Sequence, residues 1–78
     1  MSVIDPDRHA HLISLQRAVF AATDTLYAYE GDDAEPMREA CRKAAATKEA
    51  ALYESGLVEE HGYYVAAQSL KDAAKTAG

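Results

Sequence analysis

The amino-acid sequence predicts an all-α fold, a small antiparallel bundle of three helices that associates with further copies of itself. Three observations carry this. Alanine, the strongest helix former, supplies 17 of the 78 residues. Apolar side chains recur three and four apart, and nowhere do they alternate with period two. Start and stop signals divide the chain into three segments, about 6–29, 36–55 and 58–76, within one domain spanning 1–78.

The first segment opens at Asp5 and Pro6, where a carboxylate can accept from free backbone N–H groups and proline gives up no needed donor. Leu12, Leu15, Val19, Ala22, Leu26 and Tyr29 then share one face, while Ser14, Ala18, Ala21, Thr25 and Ala28 repeat at the same spacing behind them. Between Leu12 and Tyr29 only Arg17 and Asp24 are charged, so this helix is expected to need neighbours on both sides. Small side chains let a second backbone approach closely. Ser14, Ala18, Ala21, Thr25 and Ala28 are therefore the expected interface of a homo-oligomer, most simply a two-fold dimer.

Gly31 reads as a left-handed stop for this helix, and Asp32, Asp33, Glu35 and Pro36 place negative charge and a proline at the start of the next. In the second segment Met37, Ala40, Cys41, Ala44, Ala45, Ala51 and Leu52 form a narrow apolar face, with Arg38, Arg42, Glu49 and Tyr53 opposite. Glu39 and Lys43 are spaced for an ion pair. Ser55 and Gly56 end the helix, with Leu57 placed to pack back after a glycine cap. Gly56 allows either a tight turn or a bend that lets the chain run on, and the glycine-cap pattern favours the turn. The third segment puts Tyr63, Ala66, Ala67, Leu70, Ala73, Ala74 and Ala77 inside, with Glu59 and Glu60 early and Lys71 and Lys75 late, as the helix dipole favours. It lacks a capping residue, and Gly62 interrupts its first turn.

Composition excludes several function classes. The net charge is −5, and Lys43, Lys48, Lys71 and Lys75 are scattered among acids, so the basic patch that nucleic-acid binding requires is missing. No apolar run approaches a membrane span, and the first eight residues lack the apolar core of a leader, which leads us to expect a soluble, cytoplasmic protein. The single cysteine, Cys41, excludes an intrachain disulfide and reads as a small buried hydrophobe.

Three groups of residues carry the remaining chemistry. An antiparallel bundle brings His9, His11 and His61 to one end, beside Asp5, Asp7, Glu54, Glu59 and Glu60, which are residue types that ligate transition metals. His9 and His11 diverge by about 200° on a helix, so that end is expected to be a solvated acidic helix terminus and to hold no metal or other cofactor. Five tyrosines sit near helix ends, with Tyr53, Tyr63 and Tyr64 as partner-contact candidates. Lys48 lies within the apolar face of the second helix and must either extend its ammonium to water or pair with an acid of another helix or subunit. Ser14 and Ser69 have no local general base. The expected function is a non-enzymatic protein–protein interaction or oligomerisation module. A metal- or small-ligand-binding protein using the histidine end is the first alternative, and a regulator that orders on a larger protein partner is the second.

Overall fold

The computed structural model describes residues 2–76, and every regular element within them is a helix: α1, Ala10–Ala28; α2, Glu35–Glu54; α3, Leu57–His61; α4, Tyr63–Thr76. α1 and α2 form an antiparallel hairpin, with Arg8, His9, His11 and Leu12 facing Ala51, Glu54 and Ser55 at the end away from their connection. α4 lies back over the first half of α1. The Val3 N–H donates to Ser69 Oγ at 3.4 Å, and Arg17 Nε donates to the Ala74 carbonyl at 3.5 Å, which sets a positive charge against the last turn of α4.

Regular helix begins at Ala10, later than the expected start at 6. Asp5 nonetheless acts as a cap. Its Oδ1 accepts from the Asp7 N–H at 2.9 Å and the Arg8 N–H at 3.4 Å, and these amides hold its carboxyl below the usual carboxylate range. His9 closes the turn by accepting the Asp5 N–H on Nδ1 at 2.9 Å, and its backbone, at φ −110° and ψ 26°, leaves the helical region. The result is a capped irregular turn ahead of α1.

Gly31 does not adopt the left-handed conformation expected of it, since positive φ occurs only at Gly56 and Gly62 among the described residues. Tyr29 instead ends α1 in an extended conformation, and the hydroxyl end of its exposed ring lies over Gly31, where a Cβ would push that side chain aside. At the end of α2 the expected glycine turn is present: Gly56 has φ 84°, Ser55 Oγ accepts from the Leu57 N–H at 3.3 Å, and Leu57 is buried.

The expected third helix is two helices, making four in all, because Gly62 sits at φ 89° and ψ 153°. That region is open essentially to glycine alone. The break separates α3 from α4 and turns α4 onto the hairpin. Ala66, Ala67, Leu70 and Ala74 are buried as expected, whereas Tyr63 remains 44% exposed and Ala77 lies outside the described residues.

Leu52, Leu70 and Gln16 are the largest fully buried side chains, one from each long helix, and Ile4, Leu12, Ile13 and Leu57 pack around them with Ala66, Ala67 and Ala74. The expected seam of α1 is only partly core: Leu12 is buried, Leu15, Val19, Ala22 and Leu26 are half-buried, and Tyr29 is exposed. α2 likewise buries Leu52, half-buries Met37, Cys41, Ala44, Ala45 and Ala51, and exposes Ala40. Glu39 pairs with Arg42 rather than Lys43, and Glu35 joins the same guanidinium. A guanidinium offers a planar fork of donors that an ammonium lacks, so it can serve both carboxylates.

Leu52→Ala and Leu70→Ala should each cost about 2 to 5 kcal/mol through lost burial and a residual cavity, with Leu26→Ala well below either. Chemical denaturation of the three variants gives the ranking. Gly62→Ala should cost about 1 to 3 kcal/mol although open space surrounds the new methyl, because the penalty lies in the backbone. Thermal unfolding should therefore show a lower midpoint for Gly62→Ala than for Ala at an ordinary exposed position of α4.

Candidate functional site

The five small residues of the expected interface, Ser14, Ala18, Ala21, Thr25 and Ala28, all face solvent along the outer side of α1. Among the described residues no other element covers them. The Thr25 hydroxyl turns inward to its own helix and donates to the Ala21 carbonyl at 3.0 Å, so the stripe presents mostly methyl and methylene surface.

A different line of residues on α1 runs from the core toward the α1–α2 connection. Ile13, Gln16, Phe20, Thr23 and Tyr27 follow one another at alternating spacings of three and four, the spacing of a helix–helix seam. Ile13 and Gln16 are buried and Phe20 packs against the core, whereas Thr23 is half-buried and Tyr27, at 81%, is the most exposed of the large apolar side chains. On α2 the matching line is Cys41, Ala45, Lys48 and Leu52, the first two half-buried and the last two buried. Between residues 17 and 47 no side chain is fully buried. Sequence inspection passed over the α1 line because glutamine and threonine interrupt its apolar character, and the regular spacing was the signal that could have found it. Gln16 is 1% exposed, and its Oε1 accepts no hydrogen bond.

The partner-contact tyrosines divide. Tyr53 and Tyr63 stack with ring centroids 6.0 Å apart and planes inclined by 22°, linking the end of α2 to the start of α4. Tyr64 stands alone and exposed. Lys48 is buried, and its Nζ donates to Glu49 Oε1 at 2.6 Å. The acceptor thus belongs to its own helix, one residue on, where we expected water or an acid of another element. The same oxygen accepts from the Tyr63 hydroxyl at 2.8 Å. Burial works against the Glu49 charge, but hydrogen bonds from Lys48 and Tyr63, with the positive charges of Lys48 and Lys71, outweigh it and hold the carboxyl below the usual range. The bond to Glu49, aided by partial burial, raises the Tyr63 phenol above its usual value.

At the histidine end an open cavity of about 310 Å³ is lined by Arg8, His9, His11, Leu12, Ala51, Glu54 and Ser55. His61 is not part of that lining. It closes the five-residue α3, with Nε2 3.8 Å from the Glu60 carboxylate. Among the described residues no three His, Cys, Asp or Glu side chains come together as a metal-ligand set. Cys41 is half-buried on α2, and no helix is long and apolar enough to cross a membrane. Comparison of the chain with protein-family models, with curated proteins and with solved structures finds no significant match.

The Lys48–Glu49–Tyr63 network generates a paired prediction. Glu49→Gln leaves a buried ammonium without its counter-charge and should cost about 1 to 3 kcal/mol, less than a fully buried pair because Glu49 is partly solvated. Lys48→Met removes the charge itself and should be close to neutral. Since the Glu49 carboxyl is held below its unfolded value, its contribution is present above the ordinary carboxylate range and is lost as pH falls through the depressed value. Urea unfolding of wild type and Glu49→Gln from neutral to acid pH should show the two curves converging at the acid end.

Proposed function

We propose that this protein is a small non-enzymatic helical module for protein–protein interaction and self-association, most simply a two-fold dimer, working in a reducing, cytoplasmic setting. The observation that carries the reading is the solvent-facing line Ser14, Ala18, Ala21, Thr25 and Ala28, which no other element covers among the described residues. A stripe of this kind costs little side-chain entropy to order and admits a second helix at close range. A two-fold arrangement would pair the stripe with itself, each residue being met by its symmetry mate or a neighbour. The exposed Tyr27, Tyr53 and Tyr64 fit the same reading, since tyrosine buries large area with few rotatable bonds and keeps a polar tip for the rim.

Ala21→Glu tests the reading. It places a carboxylate in the middle of the stripe, far from the core, so the monomer fold should be retained. Burying that charge at a helix–helix contact should cost about 2 to 4 kcal/mol of association. Sedimentation velocity should show a shift toward monomer for Ala21→Glu at concentrations where wild type is dimeric, while circular dichroism stays unchanged.

A further inference from the structure

The turn ahead of α1 ties the segment before it to the body of the fold. Ile4 is buried in the core, Val3 packs against that core, and the Val3 N–H donates to Ser69 Oγ of α4. Both backbone groups of the next residue, Asp5, are bonded to His9. The Asp5 carbonyl accepts the His9 N–H at 2.8 Å, and the Asp5 N–H donates to His9 Nδ1 at 2.9 Å. The second bond exists only while Nδ1 carries no proton, because an imidazolium has two donors and no acceptor. Protonation also sets a cation at the first turn of α1, the positive end of the helix dipole. The charged groups around the ring divide. Arg8 beside it and His11, once protonated, oppose the new charge, whereas Asp5 and, across the cavity on α2, Glu54 favour it; α3 and α4 bring no residue to that lining. Asp5 Oδ1 already accepts from the Asp7 and Arg8 amides, so it cannot turn to meet the ring without giving them up.

We infer that His9 is a proton-operated latch on the segment 2–4. In its neutral form the ring holds the Asp5 N–H and fixes the angle at which Ile4 enters the core. Protonated, it lets go of that N–H, and Val3 and Ile4 leave Ser69 and the apolar surface they cover. The direction follows from which form makes the bond. A bond to the neutral ring contributes at high pH and is lost as pH falls through the range in which histidines take up their second proton, between about pH 8 and 5. Mild acid therefore bares a patch of core beside α4 while the three long helices stay together. This device is independent of self-association and uses none of the small-residue stripe.

Nuclear magnetic resonance of the whole chain tests the latch. At neutral pH the His9 ring should show a bare Nδ1 and a protonated Nε2. As pH falls from about 8 to 5, the Ile4 methyl signals should move in step with protonation of the His9 ring, while those of Leu52 and Leu70 hold still. Over the same range the Val3 and Asp5 amides, corrected for the intrinsic effect of pH on exchange, should exchange about fivefold faster or more, the scale of one lost hydrogen bond. His9→Asn places an amide oxygen near the position of Nδ1 and takes up no proton, so it should keep Ile4 docked throughout. His11→Ala should follow wild type. A protonated Nδ1 at neutral pH, an Ile4 methyl that stays in place while His9 takes up its proton, or the same pH response in His9→Asn as in wild type overturns the inference.

Discussion

The fold depends on the contact of α4 with the α1–α2 hairpin, which completes the burial that two helices alone cannot supply. The three largest fully buried side chains, Gln16, Leu52 and Leu70, come one from each long helix and mark the place where α1, α2 and α4 meet. Such a side chain needs neighbours on every side, and a hairpin alone supplies neighbours on one. α4 is 14 residues long against 19 and 20 for its partners, so it can complete only one end of the hairpin. Alanine at 66, 67 and 74 lets it settle closely there. The core is therefore compact and end-loaded, and the other end of the hairpin is left with two layers.

The polar groups near this core follow from the same narrowness. Lys48 lies one turn before Leu52 on the same face of α2 and is buried over most of its length. Glu49 and Tyr63 supply the charge and the second hydrogen bond that make this position tolerable, and the Tyr53 ring stacks on the phenol that closes the network. Buried ion pairs seldom add net stability, but they penalise every arrangement in which one partner is left alone. This one fixes how α4 sits on α2. Gln16 lies at the opposite extreme, a buried amide whose carbonyl oxygen has no donor.

What could be read from the sequence was local chemistry, and what could not was the outcome of competition between residues. Asp5 as a cap and Gly56 as a left-handed turn follow from the preferences of single residues, and both are realised. Gly31 looks equally like a left-handed stop, but α1 ends instead at the extended backbone of Tyr29, an outcome that no single residue preference fixes. Gly62 was visible as an interruption, yet whether it merely weakens a helix or divides it depends on the angle at which α4 must meet α1. Burial on α1 is displaced toward Ile13 and Gln16, where the position of the glutamine on the helix outweighs its polarity. At the candidate site the small-residue stripe was legible as a free face. The Lys48 partner was not, because a neighbour in sequence normally points some 100° away and only flexible side chains close that gap.

An end-loaded core also divides the molecule by rigidity. With every fully buried residue outside 17–47, the distal turns of α1 and the first turns of α2 share no tightly packed side chain with the rest of the fold. Their amides can open to solvent by separating two helices locally, without disturbing Leu52 or Leu70. Backbone hydrogens there are expected to exchange far faster than those around Gln16, grading from a slowly exchanging packed end to a labile connection. Any contact that closed over these turns would erase that gradient, so protection from exchange reports occupancy of this half of the hairpin even when the occupant is unseen.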